Sequence, residues 1–410
     1  MSKTNLGKYE SVTSALGNVM EWYSFALLMP FLPVISEQFF PLKNVACSKL
    51  LTFFVVSIGL FMRPLGAVVF GPIGDKFGRR RAISLSVLLM AVPTVCIGIL
   101  PDYHHIGIAA PILLVLLRSL QGIALGGEYT TAMVHLVELA PTNHRGFYGS
   151  WSDGGSQVGV LIGGQALVLL YSFFSEPEIY SFAWRVPFLL AVLLVPFAFL
   201  VPEIDQKKTK PRESIFKMLL ANSKEVVCTV AITAFSAVGF YTLFTFLPYH
   251  LVSSNMFSLK EATWFTVASN AVMIVIIFGA GYLSDKYRRK PFLISGVVGV
   301  LLVSLVMFMF PRASFIYWLI LQSLYGFFIG FYYSCRAAFF AEAFPVQVRC
   351  TAVSVSLSVA QAIFGGLTPA VVSYCQAYSD ILAVVPIALV SLMAIYAILQ
   401  LEDRTGKELL

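Results

Sequence analysis

Long apolar runs follow one another from about residue 13 to about residue 401, separated by short polar connections. They constrain this chain more than any other feature. A helix that crosses a bilayer needs about 20 predominantly apolar residues. Twelve segments meet that need: 13–40, 48–74, 80–100, 106–139, 145–174, 181–202, 222–253, 259–284, 290–311, 313–343, 347–378 and 380–401. Only 12% of the residues are charged and 58% are hydrophobic, against roughly 25% charged in an ordinary soluble domain. No water-soluble globule has interior enough for that apolar surface. A soluble enzyme, a disordered chain and a nucleic-acid binder are therefore excluded. A β-barrel would show short alternating segments around a polar lumen, whereas these runs are continuous. The expected fold class is an all-α membrane protein with twelve transmembrane helices.

The net charge of +7 invites a polyanionic partner, but its distribution explains it otherwise. With the N-terminus on the cytoplasmic side, twenty Lys and Arg fall in cytoplasmic segments, five fall opposite, and Arg63, Arg118 and Arg336 lie within spans. Such a bias sets orientation and places both termini in the cytoplasm. The polar start, Met1 to Glu10, leads directly into a span too long for a signal core, so no cleavable leader is expected. The connection after the sixth span splits the chain into a bundle over 1–202, a linker over 203–221 and a bundle over 222–410. The six cysteines are scattered without CxxC spacing and read as small core residues. No metal or catalytic constellation is expected.

An internal repeat supports two related halves. Gly71-Pro-Ile-Gly-Asp75-Lys76-Phe-Gly78-Arg79-Arg80-Arg81 recurs, 210 residues on, as Gly281-Tyr-Leu-Ser-Asp285-Lys286-Tyr-Arg288-Arg289-Lys290. Glu138-Leu-Ala-Pro141 with Arg145 recurs as Glu342-Ala-Phe-Pro345 with Arg349, and Gly122 and Gly126 fall opposite Gly326 and Gly330. A carboxylate ending one span can pair with arginines or with the amides that open another helix. Asp75, Arg79, Arg80, Glu138, Arg145, Asp285, Arg289, Glu342 and Arg349 are accordingly expected to lock helices together and to gate. The plainer alternative is that the basic residues only anchor loops to lipid headgroups. Arg288 stands where the first copy has Gly78, which weakens the expectation of a tight turn in the second loop.

The first loop resembles the signature of the major facilitator superfamily. Gly17-Asn18 with Glu21-Trp22-Tyr23, Met62-Arg63-Pro64, Arg118-Ser-Leu-Gln121-Gly122, Gly126-Gly127-Glu128, Trp184-Arg185-Val-Pro187 and Ala341-Glu342-Ala-Phe344-Pro345 are similar to its metabolite:proton symporter family, which carries proline and betaine, α-ketoglutarate, citrate or shikimate. The resemblance spans nearly the whole chain. It implies two pseudo-symmetric six-helix bundles, alternating access, a bacterial inner membrane and the proton as coupling ion, with no other cofactor. Ser24 departs from the aspartate that the family usually has there. The chain also ends at Leu410, short of the coiled-coil tail of osmosensing proline carriers, so osmosensing by that device is not expected.

Charge inside a membrane is costly and marks function. In the fourth span, residues 118, 121 and 128 share one helix face, so Arg118 and Gln121 are expected at the substrate and Glu128 at the proton. Arg63, Tyr23, Gln157 and Gln361 join the substrate set. Glu21 joins the proton set, and so does Asp153, a candidate to replace the carboxylate missing at Ser24. Arg336 is about 9 Å along the helix from Glu342; it either pairs with it near the cytoplasmic mouth or adds positive charge for an anionic substrate. Gly155, Gly159 and Gly163 read as a close-packing stripe. The expected function is proton-coupled uptake of a small carboxylate-bearing metabolite by a monomer in the lipid bilayer. Alternatives are a proton-driven exporter of the same fold and a non-transporting membrane receptor.

Overall fold

The computed structural model describes residues 16–42, 45–199, 215–310 and 314–409. Residues 203–214 of the expected linker lie outside the described residues, as do the side chains of Arg79 and Glu128. The described chain is almost wholly helical. Nine segments in it are long and apolar enough to cross a membrane: Ser57–Phe77, Arg80–Ile99, Ala109–Leu139, Ser223–Val252, Lys260–Tyr287, Lys290–Met309, Phe315–Ala343, Arg349–Tyr378 and Asp380–Gln400. They match the expected second to fourth and seventh to twelfth spans.

The remaining three spans are helical, but two are interrupted and one is polar, each for a reason visible in its residues. Pro30 and Pro33 remove two amide donors from the first span, which is helical over 16–26, turns, and resumes as Leu32–Phe39. The fifth, Arg145–Gly164, carries Arg145, Asp153, Gln157 and many glycines and serines, so it is long but polar. The sixth is assembled from a wide turn over Ile179–Ala183, a short α-helix over Arg185–Leu189 and a tight helix over Leu190–Phe199, with Pro187 and Pro196 inside it.

By contacts the chain divides into two compact units: Met1–Ala132 with Gly155–Lys208, and Met133–Gly154 with Thr209–Leu410. Segment Met133–Gly154 departs from a division at the linker. In the first unit, the second and fourth spans touch backbone to backbone. A Cβ on Gly66 would stand 1.9 Å from the Ile123 carbonyl oxygen, and one on Gly122 would stand 2.2 Å from that of Gly59. Gly159 and Gly163 press on Val19 and Tyr23 of the first span in the same way, a packing role for that stripe. Phe31, Phe39, Trp184 and Phe188 form the centre of this unit's apolar core.

The second unit repeats the crossing. A Cβ on Gly326 would stand 2.3 Å from the Ser269 carbonyl oxygen, and one on Gly330 would stand 3.1 Å from that of Met273. The glycines matched by the repeat thus do the same physical work in both units. Met133–Gly154 joins this unit through small residues as well, since a Cβ on Gly146 would collide with Ser284 and one on Gly281 with Ser150.

Candidate substrate and coupling site

In the first unit the centre is Arg118, which is fully buried. It donates to Gln121 Oε1 at 3.0 Å, and Gln121 donates in turn to Thr94 Oγ1 at 2.7 Å. Arg118 and Gln121 thus meet on the fourth span, with Thr94 of the third span as a partner that periodicity alone did not single out. Arg118 also donates to the Phe25 carbonyl at 3.3 Å and stands 4.1 Å from the centre of the Phe25 ring. The broken first span supplies that carbonyl. Met29 N–H bonds to Ala26 rather than to Phe25, which leaves the Phe25 oxygen to the arginine.

Beside it, Glu21 and Arg63 are buried and close enough for their charges to act on one another. Trp22 lies edge-on to both Phe25 and Tyr129, and Arg63 stands 5.9 Å from its ring centre. Tyr23 commits its hydroxyl to the Pro187 carbonyl at 2.8 Å, tying the first span to the sixth. Gln157 is buried in the fifth span.

In the second unit Arg336 and Asp153 form a buried ion pair. Arg336 also donates to Ser236 Oγ at 3.2 Å and lies 4.5 Å from the Tyr333 ring centre. It does not pair with Glu342: that carboxylate takes Arg289 and, at 3.5 Å, Arg145. The helical repeat explains the difference, because positions 336 and 342 are six residues apart and face away from each other. Gln361 is buried at a wide turn, Gln361–Gly365, beside Tyr241 and Gly365. Such turns are frequent at functional sites.

Of the residues expected to lock helices, Glu138, Arg145, Asp285, Arg289, Glu342 and Arg349 meet at one end of this unit. Arg349 donates to Glu138 at 2.8 Å. Asp285 accepts the Gly146 and Phe147 amides at 2.7 and 2.9 Å, capping the exposed donors of the fifth span, and Arg289 stands 3.5 Å from it. Asp75 and Arg80 lie half-buried at the first-unit turn. Two features were not foreseen. Asp403 accepts the Arg289 and Lys290 amides, both at 3.2 Å, and Arg145 donates to the Lys407 carbonyl at 2.6 Å. The stretch after the twelfth span therefore belongs to the cluster. Arg288, moreover, adopts φ 66°, ψ 164°, close to Gly78 at φ 96°, ψ 150°. The second loop makes the same turn without the glycine.

Among known proteins, the family model described as "Sugar (and other) transporter" matches residues 11–225, and that of the Major Facilitator Superfamily matches 229–409. A glycine betaine/proline/ectoine/pipecolic acid transporter, OusA of Dickeya dadantii, is 30% identical over 88% of this chain and 76% of its own length. The chain belongs to the metabolite:proton symporter family of the major facilitator superfamily. A putative proline/betaine transporter of Staphylococcus aureus is 32% identical over 88% of this transporter and 81% of its own length. In fold the transporter matches the proton:xylose symporter XylE with a TM-score of 0.82, over 99% of this chain and 98% of that one, at 18% identity. The twelve-helix fold class is thereby established, and the transporter is a multi-pass membrane protein rather than an enzyme.

Proposed function

We propose that the transporter takes up a small zwitterionic or acidic metabolite, of the proline and betaine kind, together with protons by alternating access. The observation that carries this reading is a buried arginine set against an aromatic ring in each unit, Arg118 on Phe25 and Arg336 on Tyr333. A guanidinium binds a carboxylate in a forked geometry, and aromatic faces receive an ammonium or quaternary ammonium. Trp22, Phe25 and Tyr129 stand next to Arg118 and Glu21 for that purpose. OusA and the staphylococcal relative bear names of zwitterion carriers, which supports the same class.

In this reading Arg118 and Gln121 serve the substrate in the first unit with Arg63, Tyr23 and Gln157, and Arg336 and Gln361 serve it in the second. Glu21, Glu128 and Asp153 serve the proton, the only coupling ion. The hydrogen bonds and ion pairs that join Met133–Gly154 to the ends of the eighth, tenth and eleventh spans are the gate, which must break for that segment to part from them. The transporter works as a monomer in the bacterial inner membrane with both termini cytoplasmic and no nucleic-acid partner, its halves dividing near 203–221. The test is uptake into proteoliposomes of labelled proline, glycine betaine, α-ketoglutarate and citrate, with and without an inward proton gradient. Gradient-dependent accumulation of proline or glycine betaine, abolished by a protonophore, is the expected result. Accumulation of none of the four would overturn the reading.

A further inference from the structure

We infer that Asp153 is an internal stand-in for the substrate's carboxylate on Arg336, and that exchange of one for the other ties substrate to proton. The inference rests on the reading above and names the residue pair that executes it. Three elements meet at Arg336. Asp153 comes from the fifth span, Ser236 from the seventh, and Tyr333 precedes Arg336 on the tenth. Ser236 Oγ at 3.2 Å and the Tyr333 ring at 4.5 Å are neutral and hold the guanidinium from two further sides. Tyr332, whose ring centre is 5.9 Å away, ties its own hydroxyl to the Ile232 carbonyl at 2.8 Å. Taking Asp153 away therefore leaves a cation that Ser236 and the Tyr333 ring still hold in place, a geometry that suits a carboxylate.

Fold stability alone gives no reason to keep such a pair, because well-packed apolar residues of similar volume serve a buried position at least as well. Charge retained within the membrane asks for a functional reason. Charge balance supplies one. With Asp153 on Arg336 the pair is neutral. If a substrate carboxylate takes Arg336 while Asp153 stays ionised, two anions share one cation in an apolar setting. Displacement is therefore favourable only when a proton from the water on the entry side has bonded to an Asp153 carboxylate oxygen. On the far side the substrate leaves, that O–H bond breaks, the proton goes to water, and the Asp153 carboxylate returns to Arg336. Among the titratable groups that face Asp153 are Arg336, Tyr332 and Tyr333; Ser236 is neutral, and the Trp151–Phe278 contact is apolar. Arginine and tyrosine ordinarily hold their protons well above neutral pH, which leaves the carboxyl to exchange one.

Equilibrium binding of labelled proline and glycine betaine to purified protein, followed across pH, tests this alongside proteoliposome uptake. In the wild type, binding tightens as pH falls. Asp153→Asn relieves Arg336 of its competitor, so it binds about tenfold tighter than wild type at neutral pH. Its binding no longer depends on pH, and it keeps counterflow but loses gradient-driven accumulation. A merely structural pair predicts the opposite, weaker binding on removal of Asp153. Asp153→Glu retains pH-dependent binding with a displaced midpoint, and Arg336→Gln loses binding. If Asp153→Asn still accumulates the probe with the gradient, or keeps the wild-type pH dependence, the exchange is wrong while symport stands. An unmoved midpoint in Asp153→Glu is equally fatal to it. A wild type that accumulates neither probe overturns the symport reading and the exchange with it.

Discussion

At the scale of single residues, the backbone of Arg288 shows how strongly the loop after the eighth span is specified. Its φ of 66° with ψ of 164° belongs to a region used almost only by glycine, and a side chain held there costs about 1–3 kcal/mol. The side chain itself is exposed. The cost is met by what flanks it: Asp285 on the opening amides of the fifth span, and Arg289 on Glu342. Arg288→Gly removes the strain and none of those bonds. It is expected to raise the stability of the detergent-solubilised transporter by about 1 kcal/mol, read as a higher melting temperature, with uptake unchanged. A lower melting temperature would show that the turn is not strained. Glycine is not a condition for this turn, because local preference yields when tertiary bonds over-determine a backbone.

At the scale of elements, much was legible because membrane helices announce themselves by length and apolarity. What could not be read was which polar groups meet. The face shared by Arg118 and Gln121 follows from the helical repeat, but the Phe25 carbonyl becomes available only because prolines break the first span. Asp153 and Arg336 are 183 positions apart, and nothing in either neighbourhood announces the other. The segment after the twelfth span was overlooked because it is short and polar, yet Asp403 caps the ninth span, Lys290–Met309. Burial pushes the Asp403 carboxyl up, but hydrogen bonds from Thr405 and from the Lys290 and Arg289 amides outweigh it and hold it below its ordinary 3.8. A carboxyl lowered on folding stabilises above its unfolded value and loses that contribution as pH falls through its folded value. The cap is therefore complete at neutral pH and fails only below about 3.8. Asp403→Ala is expected to cost this helix start about 1 kcal/mol, roughly fivefold faster hydrogen exchange at the amides of Arg289, Lys290, Phe292 and Leu293. Unchanged exchange at neutral pH would mean that the tail does not cap.

At the scale of the whole molecule, orientation decides what the ion-pair cluster can control. Glu138, Arg145, Asp285, Glu342, Arg349 and Asp403 gather at one end of the second unit, the end that also bears Lys286, Arg288 and Lys290. In the proposed orientation the excess of Lys and Arg in these connections puts that end in the cytoplasm, where the cluster would guard the exit for an incoming substrate. Single cysteines placed in a background with all six native cysteines replaced by serine test this. His105→Cys and Lys286→Cys suit the purpose, both positions being exposed and at opposite ends of spans. In intact cells a membrane-impermeant maleimide is expected to label the cysteine at 105 and to reach the one at 286 only after permeabilisation. The reverse pattern would put the cluster on the outer face. Its arginines and carboxylates would then guard entry rather than release, while Asp153 would still take its proton from the side on which the substrate enters, so that an inward proton gradient would drive uptake in either orientation.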